Sequence, residues 1–493
     1  MSSQLLFLRP KPLNNVCYAI LAVLCYLLIY GVADSNTLAA NVPFIEIDPG
    51  VSTAFRQGDS GKPFVAVGLN YFDHQTGWAP KLWQMFDEMR VRRHLAMIAD
   101  QGFNTIRVFL TLESFHCQPG KVNPVGEEKF RRLLALCREL GIYLIPSGPD
   151  HWEGWPAWRG KDEYADESVL RADETWWQNF AAKFRDEPAI LAWDLKNEPK
   201  ILWDTPTMEI KWNDWLRQRY DNIEKIAEDW KLESQQIGSL GKIKVPLPTS
   251  ALNDQRLYDY QCFREHIGDE WTRRMVAAIR RSDPKHMITI GHIQHAIPFN
   301  LANPKYYAGF NIKSNAGYLD FVTIHFYPIA NPKPCTGAEG IAFNAAYFEA
   351  LLYLCSVDKP LMLGEFGWYG GGEIRSQGKT ILPAMPIEHQ AAWCNELLAI
   401  SRGRLCGWLN WAFADTPSSQ DLTRFSGCWD ENLQLKPWGK RFGQFARSVT
   451  AKPDKPRPFA EYMRSFNFDR KVLLTSPKTA RQYLQTLADK KTP

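Results

Sequence analysis

The sequence predicts a (β/α)₈ barrel. Eight short apolar runs recur along the chain, helix-like segments separate them, and the alternation extends over about 390 residues. Short runs that are apolar throughout are typical of strands buried on both faces of a parallel sheet, and their alternation with helices favours a barrel. A doubly wound open sheet is the alternative, but no GxGxxG motif follows the first strand.

The predicted strands and helices follow directly from the apolar patterning. The eight strands are Phe64–Tyr71, Phe103–Leu110, Gly141–Pro146, Ile190–Leu195, His286–Gly291, Asp320–Phe326, Pro360–Glu365 and Leu405–Trp411. The helix-like segments include Glu127–Leu140, Thr175–Arg185, Tyr258–Arg281, Ala342–Cys355 and Ile387–Arg402. Before the barrel, an N-terminal β-hairpin is predicted, with Phe44–Asp48 as its first strand and Gly58–Gly61 as its turn.

A long insertion, residues 200–257, follows the fourth strand. It is aromatic and helical at first and then rich in Gly and Pro. Because it follows the carboxyl end of a barrel strand, where barrel active sites form, we predict that it is a wall or lid over the cleft. The alternative is a structural subdomain that touches no ligand.

The N-terminal residues 1–40 are predicted to be a signal peptide or a membrane anchor. Arg9 and Lys11 precede an uncharged stretch over residues 12–33, which is the order of a basic n-region and an apolar h-region. The length of this stretch fits both a signal and a short membrane span. We therefore expect export, with the folded domain of residues 41–455 secreted, periplasmic or attached to a membrane through residues 12–33.

The charge distribution argues against nucleic-acid binding. The formal net charge is +4, but residues 464–493 alone carry seven Lys/Arg and two Asp, so the rest of the chain sums to about −1. A near-neutral body lacks the basic footprint of a nucleic-acid binder. Residues 456–493 are predicted to be a basic, solvent-facing C-terminal tail.

Cysteine and histidine spacing indicates no cofactor. The chain has no CxxC pair and no His/Cys/Asp cluster with the spacing of metal ligands, so neither a metal nor another cofactor is expected. Export would permit disulfides, and Cys117, Cys335 and Cys428 lie in loop-like contexts, but their pairing cannot be determined from sequence.

Two carboxylates end strands at the predicted catalytic rim. Glu198 follows the fourth strand in Asn-Glu-Pro, and Glu365 ends the seventh in Gly-Glu-Phe-Gly. Two acids that face each other across a barrel mouth can divide the work of glycoside hydrolysis, one donating a proton and the other attacking the sugar.

These contexts resemble the clan A retaining glycosidases, especially the cellulase-like glycoside hydrolase family 5, and the resemblance spans about residues 44–450. It implies that Glu198 is the acid/base and Glu365 the nucleophile, with carboxyls about 5–5.5 Å apart. It also implies that Arg107 keeps Glu365 ionised, that Asn197 binds the sugar 2-hydroxyl and that Tyr327 donates to the nucleophile. His325 would border the reacting sugar and Trp411 would form its floor.

Further substrate contacts are expected from residues after the third strand. His151 and Trp152 follow that strand, and Trp155 and Trp158 lie just beyond. Indole faces suit the C–H faces of sugar rings. We expect these tryptophans and Trp411 to meet in one groove. The negative charge of Glu365 is expected to raise the pKa of Glu198 so that it can act as an acid.

The resemblance therefore implies an O-glycosyl hydrolase that cleaves β-linked oligo- or polysaccharides, of endo-β-glucanase or β-mannanase type. The order of residues in Trp212–Trp230 also resembles clan A β-galactosidases, so an exo-acting enzyme is an alternative. A transglycosylating enzyme is another, since a sugar could replace water in the second step. A catalytically inactive, glycan-binding barrel is a fourth possibility, against which the presence of both glutamates and Arg107 argues.

Overall fold

The computed structural model describes residues 42–77, 81–249, 254–299, 301–328 and 338–491. The strands within these ranges are β1 (Ile45–Asp48), β2 (Val51–Gln57), β3 (Pro63–Phe64), β4 (Ala66–Asn70), β5 (Thr105–Thr111), β6 (Tyr143–Asp150), β7 (Ala192–Asn197), β8 (Met287–His292), β9 (Val322–Phe326), β10 (Leu361–Phe366), β11 (Gly372–Ser376), β12 (Lys379–Met385) and β13 (Gly407–Asn410).

Eight of these strands form a closed parallel barrel. Going round it, β4 to β10 follow in chain order, and β13 closes the ring between β10 and β4. Each barrel strand corresponds to one of the eight predicted apolar runs, and the side chains of β4, β5, β6 and β8 are buried along their whole length. The predicted (β/α)₈ barrel is confirmed. The carboxyl ends of all eight strands therefore meet at one rim.

Helices connect the strands and cover the barrel. In the described ranges they are α1 (Lys81–Gln84), α2 (Glu88–Asp100), α3 (Leu112–Phe115), α4 (Pro124–Glu139), α5 (Glu167–Phe184), α6 (Pro206–Arg219), α7 (Ile223–Trp230), α8 (Ser234–Ile237), α9 (Gln255–Arg280), α10 (Ile312–Asn315), α11 (Ala338–Cys355), α12 (Ile387–Ser401), α13 (Pro437–Ala451), α14 (Glu461–Arg464), α15 (Arg470–Thr475) and α16 (Pro477–Lys491). Side-chain caps define several starts; Asn123, for example, accepts from the backbone of Val125 ahead of Pro124.

A three-stranded antiparallel sheet, β1–β2–β3, covers the amino-terminal end of the barrel. Phe55 packs edge-on against Phe321 at 5.1 Å, and Phe64 against Tyr143 at 4.9 Å. The predicted hairpin is present but includes one more strand, because a tight turn after Asp48 lets Val51–Gln57 pair with both neighbours. A second hairpin, β11–β12, follows the seventh barrel strand and was not predicted.

The insertion after the fourth barrel strand forms α6, α7 and α8. Trp212 is fully buried, lies parallel to Trp230 with ring centroids 6.2 Å apart, and packs against Tyr260 and Phe263 of α9. No described residue of α6, α7 or α8 lines the cavity at the barrel mouth. This placement favours a structural subdomain over the predicted wall or lid.

The C-terminal residues fold onto the barrel. Helix α16 packs against α11, and α15 packs against α9. Leu473, Leu484 and Leu487 are buried in these contacts. The prediction of a solvent-facing basic tail is therefore wrong for residues 461–491, because the charges lie on one side of helices whose leucines join the core.

Residues 1–41 lie outside the described ranges, so the signal peptide or anchor stays a prediction, as does membrane attachment through residues 12–33. Among the described residues, no helix is long and apolar enough to cross a membrane. The seven described cysteines, including Cys117 and Cys428, are free thiols, and Cys335 lies outside the described ranges.

The packed C-terminus yields a stability prediction. We expect Leu484→Ala to destabilise the protein by about 2–5 kcal/mol, since it leaves a cavity between α16 and the barrel helices. Urea unfolding followed by circular dichroism measures the change. Gln482→Ala, an exposed position on the same helix, is the control and should change stability by less than about 0.5 kcal/mol. Equal stability of the Leu484 variant and wild type would mean that α16 is not packed.

Candidate active site

A buried arginine organises the barrel mouth. Arg107, on the second barrel strand, is 1% exposed. Its five N–H groups all have acceptors, which come from the first, third, fourth and seventh strands. Nε donates to Asp194 (2.8 Å), one terminal nitrogen to Asn70 (3.0 Å) and Glu365 (2.7 Å), and the other to Ser147 (3.0 Å) and Asn197 (2.9 Å).

Glu365 lies within β10 and receives two strong hydrogen bonds. Arg107 donates to Oε1, and the Tyr327 hydroxyl donates to Oε2 at 2.7 Å. Both donors stabilise the ionised carboxylate. The backbone N–H of Tyr327 in turn donates to the side chain of Gln294 at 2.8 Å, which fixes the loop after the sixth strand.

Glu198 directly follows the fourth strand and has an uncommon backbone conformation. Its φ is +46°, in the left-handed region, and its N–H donates to the carbonyl of Gly291 at 2.8 Å. A left-handed non-glycine residue costs on the order of 1–3 kcal/mol and is found mostly at functional sites. The conformation directs the carboxyl of Glu198 towards His325, whose Nδ1 lies 2.9 Å from Oε1.

His325 is fully buried between the two carboxylates. Its Nδ1 lies 3.5 Å from Glu365 in addition to its contact with Glu198. Burial lowers the pKa of His325 to about 4, so the ring is neutral at pH 7 and donates one proton. Two glycines make room for it: a Cβ at Gly291 would lie 3.0 Å from Nε2 of His325, and one at Gly364 would lie 3.2 Å from the same atom.

The surroundings give the two acids different protonation states. Burial raises the pKa of Glu198 to about 7, with Arg107 opposing and Asp150 adding to the rise. Burial also raises the pKa of Glu365, but His325, Arg107 and Tyr327 act in the opposite direction. Because Glu365 accepts hydrogen bonds from Arg107 and Tyr327, it is the ionised member of the pair near neutral pH, and the proton is on Glu198. The predicted direction of the Glu198 pKa shift agrees, but its cause differs, because burial and Asp150 rather than Glu365 raise this pKa.

The two carboxylates are close together. One oxygen of Glu198 and one of Glu365 lie within 4.8 Å of each other and of a His325 nitrogen. This limit, which applies to one oxygen of each carboxyl, agrees with the roughly 5–5.5 Å of a retaining pair and is below the roughly 6.5–9.5 Å of inverting enzymes. The same three side chains could ligate a cation, but Arg107 already balances the charge of Glu365, so the arrangement suits acid–base and nucleophilic chemistry.

A cavity of about 350 Å³ opens above the pair. The predicted residues that line it are Asn197, Glu198, Tyr327, Glu365, Trp152 and Trp411. Trp411 follows the eighth strand, and its indole N–H donates to the Thr423 hydroxyl at 3.0 Å, which orients the ring. Trp408, three residues earlier, points away from the barrel and donates to Ser401.

Other predicted aromatic contacts are not in this cavity. Trp155 and Trp158 each lie 5.6 Å from the Arg159 guanidinium, and their indole N–H groups donate to backbone carbonyls. The expectation that Trp155 and Trp158 share a groove with Trp411 is therefore wrong for the described cavity. His151 is also outside it; it stacks on Trp152 at 4.6 Å, and its Nδ1 lies 2.6 Å from Asp150.

Several functional neighbours were missed from the sequence. Asp194 and Asn70 are polar residues within apolar strands, and that contrast was the available signal. Gln294, His295 and the loop over residues 421–423 also line the cavity or orient its residues. They lie in irregular segments, where sequence periodicity carries no information.

Two glycosidase family models match parts of this chain, and the matched parts contain the residues described above. The family model for cellulase (glycosyl hydrolase family 5) matches residues 59–234, and a β-galactosidase model matches residues 155–366. The first match contains Arg107 and Glu198, and the second contains both Glu198 and Glu365. A curated rice protein (Oryza sativa subsp. japonica), "Putative mannan endo-1,4-beta-mannosidase 9", is 23% identical over 360 residues, which cover 65% of this chain and 70% of the rice protein.

Solved structures share the fold. Exo-beta-1,4-mannosidase Op5Man5 from Opitutaceae bacterium strain TAV5 has a TM-score of 0.57 at 21% identity, covering 82% of this chain and 62% of its own. A GH5_18 protein from Streptomyces cattleya, in complex with Manβ1-4GlcNAc, has a TM-score of 0.59 at 18% identity, with 87% and 92% covered.

The two family matches overlap on the strand-four glutamate and together include the strand-seven glutamate and the buried arginine that the sequence singled out. They confirm the resemblance on which the residue assignments rest. This chain is thus similar to the cellulase-like glycosidases of clan A, and it is an O-glycosyl hydrolase built on a (β/α)₈ barrel.

Proposed function

We propose that this protein hydrolyses β-mannosidic linkages in short oligosaccharides by a retaining, double-displacement mechanism. The observation that carries the proposal is the carboxylate pair. Glu198 and Glu365 have oxygens within 4.8 Å of each other, and of these two glutamates it is Glu365 that accepts from Arg107 and Tyr327.

The first displacement uses the asymmetry of the pair. Ionised Glu365 attacks the anomeric carbon while protonated Glu198 gives its proton to the leaving oxygen. Asn197 accepts from Arg107 through its side-chain oxygen, which leaves its NH₂ group as the donor for a sugar hydroxyl. Neutral His325, whose Nδ1 lies 2.9 Å from Oε1 of Glu198, orients the carboxyl while it carries the proton.

The second displacement reverses the proton transfer. Formation of the glycosyl ester removes the charge of Glu365 and thereby lowers the proton affinity of Glu198. Glu198 then takes a proton from water, which attacks the anomeric carbon and releases Glu365. A sugar hydroxyl in place of water would give transglycosylation, so the ratio of the two products depends on how well the cavity binds an acceptor.

Two observations support a short mannoside. The rice relative is named for β-mannan cleavage, and the Streptomyces structure holds Manβ1-4GlcNAc. The cavity of about 350 Å³ is near the lower end of the roughly 300–1,000 Å³ of small-molecule sites. The tryptophans expected to extend it, Trp155 and Trp158, pack elsewhere. The described cavity thus suits a few sugar rings better than a long polymer.

A β-galactosidase is the second candidate. The β-galactosidase model matches residues 155–366, which contain both catalytic glutamates. Mannose and galactose differ from glucose at C2 and C4, respectively, so the groups near those carbons decide between them. His295 and Asp421, which line the cavity, are available for such contacts.

We also propose that the enzyme acts outside the cytoplasm. The support is the basic and then apolar order of residues 9–33. Cell fractionation followed by N-terminal sequencing of the recovered chain tests this proposal. A chain that begins at Met1 and is found in the cytoplasmic fraction would contradict it.

The substrate proposal is tested with a panel of glycosides. We expect kcat/KM for a 4-nitrophenyl β-mannoside and for Manβ1-4GlcNAc to exceed that for the matching β-glucoside and β-galactoside by about tenfold or more, which corresponds to about 1.4 kcal/mol of transition-state discrimination. Polymeric mannan should be cleaved more slowly than the disaccharide. Preference for the galactoside would select the second candidate, and turnover of none would leave only a glycan-binding barrel.

Substitution of the two glutamates tests their roles. Glu365→Gln should lose activity on every substrate, because a carboxamide is a poor nucleophile. Glu198→Gln should lose more activity on natural glycosides than on aryl glycosides, whose leaving groups need no proton. Glu128→Gln, an exposed position on α4, is the control and should match wild type.

Azide distinguishes the acid/base from a merely structural glutamate. Added to Glu198→Ala, it should restore turnover of aryl substrates and give a β-configured glycosyl azide, because azide attacks the glycosyl ester without a base. An α-configured azide, or wild-type turnover by Glu365→Ala, would contradict the retaining assignment.

The pH profile follows from the pKa of Glu198, which burial raises to about 7. Because the acid form is needed, kcat/KM should be maintained below pH 7 and fall as pH rises through that value. Initial rates with an aryl β-mannoside from pH 4 to 9 measure it. In Glu198→Gln the residual activity on an activated substrate should lose this alkaline limb, and its persistence would assign the titration to another group.

A further inference from the structure

A second cluster of polar side chains lies outside the carboxylate pair. Asp73, His74 and His94 are 1%, 6% and 1% exposed. Each offers a ligand atom, and the three atoms lie within 4.8 Å of one another. Asp73 and His74 follow the first barrel strand, whereas His94 is on α2, so the fold brings together residues that are 20 positions apart in the sequence.

The hydrogen bonds of the two histidines leave one nitrogen of each for a ligand. His74 Nε2 lies 3.2 Å from the carbonyl oxygen of Glu431, which can only accept, so the proton is on Nε2 and a lone pair on Nδ1. Nδ1 is buried and has no protein partner. His94 Nδ1 pairs with the Tyr71 hydroxyl at 3.1 Å, which leaves Nε2 for the cluster. Metal-binding histidines typically donate their second N–H in this way.

The charges around the cluster also fit a cation. Asp73 Oδ1 accepts from the backbone of Gln75 at 3.1 Å, and Oδ2 forms an ion pair with Arg90. Arg90 is shared with Asp87 at 3.1 Å. The one positive charge of Arg90 is thus divided between two carboxylates beside the two imidazoles.

We propose that Asp73, His74 and His94 bind Zn²⁺, with water as the fourth ligand. Two imidazoles and a carboxylate are a ligand set that zinc accepts, whereas Ca²⁺ and Mg²⁺ prefer oxygen alone. Ligands about 2.0–2.1 Å from a tetrahedral ion are about 3.3 Å apart. The present limit of 4.8 Å therefore requires the side chains to close by up to about 1.5 Å, which small side-chain rotations provide.

The proposed site lies where three segments pack together: the loop after the first strand, α2, and the segment that contains Trp411 and Phe413. Phe413 packs on the rings of both His74 (6.1 Å) and His94 (4.8 Å), and it lies two residues after Trp411. Phe72, next to Asp73, packs against Trp411 at 5.8 Å. A bound ion would thus join the loop after the first strand to α2 and support the residues beneath Trp411. Its role is structural, separate from the proton transfers of Glu198.

Zinc binding by the whole purified protein tests the proposal. After treatment with a chelator and its removal, titration with Zn²⁺ alone should show one equivalent bound per chain and a raised melting temperature, since an ion that binds only the folded state stabilises it. Ca²⁺ should cause no shift. Co²⁺ in the same site should give the visible absorption of a four-coordinate ion with nitrogen and oxygen ligands.

Variants distinguish this cluster from the carboxylate pair, whose three side chains could also hold an ion. His74→Asn and, separately, Asp73→Asn should weaken Zn²⁺ binding at least about tenfold and abolish the Co²⁺ spectrum. Glu198→Gln and His389→Asn should bind as wild type does. Circular dichroism confirms that each variant is folded, and the wild-type titration remains decisive where a variant is not.

Two results would overturn the proposal. One is the absence of stoichiometric Zn²⁺ binding by wild type, which would make the cluster a buried, metal-free packing element. The other is Zn²⁺ binding that survives His74→Asn and is lost in Glu198→Gln, which would place the ion at the carboxylate pair. Neither result bears on the glycosidase assay, which is carried out with chelator present.

Discussion

The barrel mouth depends on the burial of one guanidinium. A buried arginine is costly unless every N–H has an acceptor, and Arg107 finds five acceptors on four different strands. Asp194 and Glu365 supply two negative charges, which hold the pKa of Arg107 above its ordinary value despite burial. Because these acceptors come from the first, third, fourth and seventh strands, the register of half the barrel is tied to this one side chain, and so is the position of the nucleophile.

The two glutamates differ in protonation state because Arg107 donates a hydrogen bond to Glu365 and not to Glu198. Glu365 accepts hydrogen bonds from Arg107 and Tyr327, whereas Glu198 pairs with the neutral ring of His325. Two acids of the same type therefore separate into a carboxylate and a carboxylic acid. The close approach requires glycine at two neighbouring positions, since a side chain at Gly291 would contact Arg107 and one at Gly364 would contact Thr323.

The sequence predicted the parts that periodicity and strand ends determine. All eight strands were located, because each is a short apolar run buried on both faces. Glu198 and Glu365 could be placed because strand ends converge at one rim, whereas Arg107 and Tyr327 were implied by the family resemblance. Strand β2 was not predicted because its first three residues are exposed. The C-terminal helices were not predicted because the basic composition of the segment outweighed the pattern of its leucines. Trp155 shows a further limit of prediction from sequence. It follows the third barrel strand, as a sugar-stacking residue would, but in the structure it packs against Arg159.

The amino-terminal end of the barrel is constrained by packing and the carboxyl end by the active site. This difference determines which residues can change substrate specificity. At the amino-terminal end, β1–β3 cover the strand starts with close aromatic contacts such as Phe55 on Phe321. At the carboxyl end, Trp411 is held by Thr423 and by Phe72, whose neighbours Asp73 and His74 belong to the second cluster. His295 and Asp421 also line the cavity, and neither is among the five acceptors of Arg107. Substitutions there can alter which sugar fits while the charge arrangement that performs the chemistry stays intact.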